Sequence, residues 1–167
     1  MKKYIAIIIL QLISAFCFSQ IKVDHLLCEN HIDPIGIGVL QPEFSWQLIS
    51  NKRNVLQVAC EIRVCNDIAL LKKGRNLVWN SGKLQSDQSV HVIYKGEALL
   101  SSKKYFWQVR VWDNNGKASS WSTPASFQTA FLNKNDWQAK WIEPGYTGDS
   151  VGAPCPMFRK QFTTNKK

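Results

Sequence analysis

Past residue 18 the 167-residue chain has no long apolar run, and between residues 22 and 131 it has no sustained helical period. The first absence excludes a membrane-spanning helix in the body of the chain, because a span takes about 20 consecutive apolar residues. The second excludes a helical bundle. Acidic side chains are also scarce, 12 Asp and Glu against 21 Lys and Arg. The excess base is dispersed, however. Lys72-Lys73 and Lys103-Lys104 fall in turn-like stretches far apart, without the aromatic interleaving of a nucleic-acid reader, so a solvated basic surface is expected and no nucleic-acid partner. Length is short for an enzyme body, since a (β/α)₈ barrel needs about 250 residues. Any chemistry must come from a small scaffold. What is present is globular: 45% hydrophobic and 20% charged residues are too apolar and too weakly charged for a disordered chain.

The one long apolar run is N-terminal. Met1-Lys2-Lys3 followed by Ile5 to Phe18 has the charge and length of a signal peptide, residues 1–19, with Cys17 and Ser19 where signal peptidase accepts small residues. Cleavage is expected before Gln20, with export to the periplasm, cell surface or exterior. Lipidation at Cys17 is disfavoured by the bulk of Phe16 before it. Loss of Lys2 and Lys3 leaves 19 basic residues against 12 acidic ones, a net charge of +7.

Processing leaves Cys28, Cys60, Cys65 and Cys155. If residues 55–64 form a strand, Cys60 shares the parity of Val58, Ile62 and Val64 while Cys65 faces the other way, so those two do not bridge. Cys28 and Cys60 are expected as core thiols packing as small hydrophobes. His25, Cys28 and His31 look like ligands, but Cys28 has the wrong parity and a fourth ligand is missing, so no metal and no cofactor are expected.

The body reads as short strands divided by turns. Phe44, Trp46 and Leu48 share a face after Pro42, Gln57 to Val64 alternates likewise, and Asn76 to Leu84 carries Val78 and Trp79 into Asn80-Ser81-Gly82. Val90, Val92 and Tyr94 mark a further strand. Tyr105, Trp107, Val109 and Val111 line one face before the turn Asp113-Asn114-Asn115-Gly116, and a last strand runs through Trp121 to about Thr129. With a first strand near His25 to Glu29, this makes about seven strands in some 110 residues, an all-β sandwich of immunoglobulin or fibronectin type III type over residues 20–131. Trp46 is expected at the core centre and Tyr105 at the opening of the penultimate strand.

The opposite face of that strand carries Phe106, Gln108, Arg110 and Trp112, and Trp121 follows on the next. Two readings compete: a sugar-stacking platform, or a ladder in which Arg63 and Arg110 lie against Trp112 or Trp121. The ladder is favoured because Trp–Arg pairs are common between neighbours on a sheet. Trp79, Trp112 and Trp121 are the candidate carbohydrate or domain contacts. Beyond 131, Leu132 to Asp136 reads as a linker, Trp137 to Ile142 and Met157 to Phe162 as strands of a second domain that 36 residues cannot complete, and a cut after 131 as harmless to the sandwich.

Several segments together resemble the N-terminal region of bacterial alpha-L-rhamnosidases. They are Leu27-Cys28-Glu29, the Pro34-Ile35-Gly36-Ile37 turn, Pro42-Glu43-Phe44-Ser45-Trp46-Gln47-Leu48, Arg53 with Gln57 and Ala59, Trp79-Asn80-Ser81-Gly82-Lys83 with Ser86-Asp87-Gln88-Ser89, Tyr105 through Asp113, Ser120-Trp121-Ser122, and Asp136 through Ile142. Gly38, Cys60 and Ala130 depart from the family's usual Asp, Tyr and Gly. The resemblance implies a secreted glycoside hydrolase whose first domain is a fibronectin-like sandwich, whose next is a jelly roll, and whose catalysis lies in a later toroidal helical domain. It implies an inverting acid–base pair of carboxylates about 6.5–9.5 Å apart, placed beyond Lys167. Asp113, Glu61 and Asp87 are expected in solvated structural roles, and no catalytic residue is assigned. The chain then serves as a non-catalytic module, with the downstream domains, and rhamnose-containing glycans, as its partners. A binding or protein-contact module acting alone is the alternative.

Overall fold

Eight strands form among the described residues, the longer ones on alternating side chains: β1 (Ile21–Cys28), β2 (Ile35–Ile37), β3 (Glu43–Ser50), β4 (Gln57–Cys65), β5 (Trp79–Asn80), β6 (Val92–Ile93), β7 (Lys104–Asp113) and β8 (Ala125–Thr129). The structure is a computed structural model describing residues 21–143, 155 and 157–164, so the expected signal peptide lies outside the described residues. One sheet has the order β1-β3-β6 and the other β2-β8-β7-β4-β5. All pairings are antiparallel except β2 with β8. This is the all-β sandwich expected from the strand pattern.

The core lies between the sheets. Trp107, Val109 and Val111 of β7 and Cys60, Ile62 and Val64 of β4 are fully buried there with Phe44 and Phe127. Its centre is Phe44, whose ring is 4.4 Å from Trp107 and 5.9 Å from Phe127, rather than Trp46. Trp46 is buried, but its indole N–H needs an acceptor and finds Gln57 Oε1 at 3.1 Å. Gln57 in turn donates from Nε2 to the carbonyls of Ser86 and Gln88, tying the 86–91 loop to the sandwich. Tyr105 does sit at the start of β7, where its hydroxyl accepts from the Leu100 N–H at 2.9 Å, the tyrosine corner of such sandwiches.

Five local readings change. A bulge between Gln57 and Ala59 shifts the register, turning Val58 to solvent while Cys60, Ile62 and Val64 face inward. Ile35–Ile37, expected as a turn, pairs with β8, and Val90 and Tyr94 fall outside the two-residue β6. Ile68–Lys73 forms a helix, α1, capped by Asp67 Oδ1 on the Ala69 and Leu70 N–H groups and ended by Gly74 at φ 65°. Six residues burying only Leu71 are too few to show a helical period. The residues 137–143 and 157–164 contain no strand, because a strand exists only where a neighbour takes its backbone hydrogen bonds.

The chain divides into two units between Asp136 and Trp137. The first reaches past residue 131: the Leu132 N–H donates to Ser101 Oγ, that hydroxyl donates to Asp136, and Leu132 packs against the core. In the second, Trp141, Met157 and Phe162 are exposed. Among the described residues no helix is long and apolar enough to cross a membrane.

Cys28, Cys60 and Cys65 are buried free thiols and Cys155 an exposed one. Burial pushes the Cys60 thiol up to about 11 and raises that of Cys28 as well. Cys65 faces away from Cys60, as parity requires, and donates to the Asn76 carbonyl at 3.3 Å. His31 Nδ1 lies 2.6 Å from the Glu29 carbonyl, closing the β1 turn.

Candidate functional site

The outer face of the five-stranded sheet is built by β4 and β7. Their register sets Glu61 opposite Arg110, and Arg63 stands two residues on with the same parity. Glu61 Oε2 accepts from both Nε (2.8 Å) and NH2 (2.6 Å) of Arg110, two charge-assisted contacts converging on one oxygen, and Oε1 lies 3.5 Å from Arg63 NH2. The Glu61 side chain is only 7% exposed. The expectation of a solvated carboxylate fails here because the two guanidinium groups and the rings over them exclude water. Asp113 is likewise buried, accepting at Oδ1 from the Asn115 and Lys117 N–H groups to close the β7 turn.

Aromatic rings sandwich this charge cluster. The Arg63 guanidinium lies 4.1 Å and that of Arg110 4.7 Å from the Trp121 ring centre. Arg110 is also 4.9 Å from Trp112, which carries the Lys83 ammonium at 4.6 Å. Buried Arg63 Nε has no hydrogen-bond partner among the described residues, and the ring beneath it supplies the compensating negative face. The helix end completes the packing: a side-chain carbon at Gly74 would come within 2.8 Å of the Arg63 guanidinium. Trp121 is placed by Ser119 and Ser122, whose hydroxyls accept from the Val111 and Val109 N–H groups at 3.0 and 3.1 Å. The stretch before β8 thus rides on β7 by side chain as well as backbone.

Trp112 and Trp121 are therefore brought together through Arg110, and Trp79 is not with them. Trp79 belongs to β5 and packs at the core margin, stacked 6.3 Å from Phe44 and edge-on 5.0 Å from Tyr94. Beside it opens a second feature, a cleft of about 280 Å³ between β5, the 86–91 loop and β6. Gln88 and His91, two polar side chains of this cleft, carried no chemical signal in the sequence. Only the crossing of the 86–91 loop over β4, pinned by Gln57, gathers them beside Trp79. His91 Nδ1 lies 2.5 Å from Glu43 Oε2 at its edge. Among the described residues no cluster of His, Cys, Asp and Glu has a metal-binding arrangement.

Residues 23–133 match the family model described as the Rha78A-like N-terminal immunoglobulin domain. The chain is 40% identical over 149 residues to an alpha-L-rhamnosidase of Formosa agariphila, covering 84% of this chain and 16% of that protein. It is 41% identical over 124 residues to one of Streptomyces avermitilis, covering 74% and 11%. The crystal structure of the Streptomyces avermitilis enzyme complexed with L-rhamnose matches with a TM-score of 0.70 at 38% identity, over 74% of this chain and 12% of that one. The alpha-L-rhamnosidase of Dictyoglumus thermophilum matches with a TM-score of 0.69 at 34% identity, over 72% and 14%. The chain thus spans about one sixth or less of the relatives it resembles.

Proposed function

The chain belongs to the Rha78A-like N-terminal immunoglobulin domains, and from that premise we propose that it is the exported, non-catalytic front module of a larger alpha-L-rhamnosidase. The observation that carries this reading is the extent of the match: it takes in the whole sandwich yet only 11–16% of the related enzymes. The outer face agrees with a structural role. Its one buried carboxylate, Glu61, is held by two guanidinium groups and has no freedom to act as an acid or base. Hydrolysis of the terminal rhamnoside falls to carboxylates elsewhere in the parent, set about 6.5–9.5 Å apart for inversion. The segment from Trp137 onward begins the next β domain, and the exposed Trp141, Met157 and Phe162 are the apolar groups that domain covers.

Two measurements test this. Intact-mass spectrometry of the native secreted product, captured with an antibody to residues 22–131, is expected to give a species several times larger than 19.1 kDa. A product beginning at Gln20 and ending at Lys167 overturns the reading. The purified chain should release nothing from an aryl alpha-L-rhamnoside, and turnover above that of a denatured control would equally overturn it.

A further inference from the structure

We propose that the cleft beside β5 is a binding site for a single rhamnose-type pyranoside, with Trp79 as its apolar wall. The ligand class rests on the rhamnosidase reading above; the site rests on the structure. On the outer face, the rings of Trp112 and Trp121 already carry Lys83, Arg110 and Arg63, so a sugar there would have to displace bound cations. Trp79 carries none. Its ring is fixed by Phe44 and Tyr94, and Gly96 lets the chain pass close, since a side-chain carbon at Gly96 would fall 2.6 Å from Trp79 Cβ.

The opposite wall is held by the protein's own hydrogen bonds. Gln57 holds the Ser86 and Gln88 carbonyls, Gln88 Nε2 donates to the Val90 and His91 carbonyls, and Ser45 Oγ accepts the His91 N–H. A site organised in advance loses little entropy on binding. Polar capacity remains. Gln88, Asn80 and Lys95 line the cleft, and Gln88 Oε1, Asn80 Nδ2 and Lys95 Nζ have no hydrogen-bond partner among the described residues. They offer one acceptor and two donors, the complement of ring hydroxyls. Leu84 and Ile93 form an apolar rim suited to the methyl group that a 6-deoxy sugar carries in place of a hydroxymethyl. At about 280 Å³ the cleft lies just below the usual range for drug-sized ligands and suits one ring rather than a chain.

The test is a ¹H–¹⁵N titration of the chain with methyl alpha-L-rhamnoside, alongside methyl beta-D-glucoside. The rhamnoside is expected to shift the Trp79 indole, Asn80, Gln88 and Lys95 resonances saturably, and to leave Trp112 and Trp121 in place. Ser86→Trp and Ile93→Trp, which fill the cleft from opposite sides, should each weaken binding by about tenfold or more while the remaining spectrum shows an unchanged fold. No saturable shift with rhamnoside, shifts confined to the Trp112–Trp121 face, or equal shifts in both filled variants overturn the site. Cleft shifts with glucoside alone overturn the rhamnose class. The parent reading is judged separately by the intact mass, so the two can fail independently.

Discussion

Glu61 shows what a single side chain decides on this scaffold. It neutralises one of two guanidinium groups that would otherwise repel each other across neighbouring strands, and it does so under Trp121, where water is excluded. Removing one partner of such a cluster costs more than the pair contributes, because the remaining charges stay desolvated. Glu61→Ala is therefore expected to lower unfolding free energy by about 2–3 kcal/mol in urea denaturation, reduced from the fully buried case by the partial exposure of both arginines. A change under 0.5 kcal/mol would show that the ladder is decorative. The residue pattern made this cluster legible in part. Arg63, Arg110 and Trp112 follow from strand parity, whereas Trp121, expected within the last strand, lies in the segment before β8, and the burial of Glu61 depends on its ring.

At the level of the element, β7 organises its neighbours. Tyr105 anchors its start to Leu100, and Thr129 of β8 accepts the Lys103 N–H at 2.9 Å and donates to the Leu100 carbonyl at 2.6 Å. This corner is where the chain reverses into the second sheet. Tyr105→Phe keeps the ring against Phe127, 5.3 Å away, and deletes only the hydroxyl. The expected loss is about 1 kcal/mol, with faster hydrogen exchange at the Leu100 amide. Strand identity was readable wherever alternation ran for five or more residues, as in β3, β4 and β7. For β5 and β6 the sequence marked the place but overstated the length, because only the two residues that a neighbour pairs with form the strand, and β2, three residues long, was missed.

For the whole molecule, the thiols report folding. The Cys60 thiol rises to about 11 from 9.0 and Cys28 rises too, both because burial disfavours the thiolate. Raised acids stabilise the folded state below the unfolded value, and that contribution is lost as pH climbs through the folded one. Melting temperature should therefore fall between pH 8 and pH 10.5, and fall less in Cys60→Ala. At pH 8 an aromatic disulfide reagent should label Cys155 quickly, while Cys28, Cys60 and Cys65 stay silent until denaturant is added. Rapid labelling of all four without denaturant would contradict the packed sandwich.

Composition, parity and turn residues by themselves determined the all-β class, the inward face of β7, the separation of Cys60 from Cys65, and the pairing of arginine with tryptophan on the outer face. These are local properties, carried by period-2 alternation within one strand or between strands in fixed register. Tertiary structure alone decided the bulge that turns Val58 outward, the placing of Phe44 at the core centre and the cleft beside Trp79. Each joins residues distant in sequence, such as Gln57 with Ser86 and Gln88, and no period within a single segment records which distant group will satisfy a buried amide.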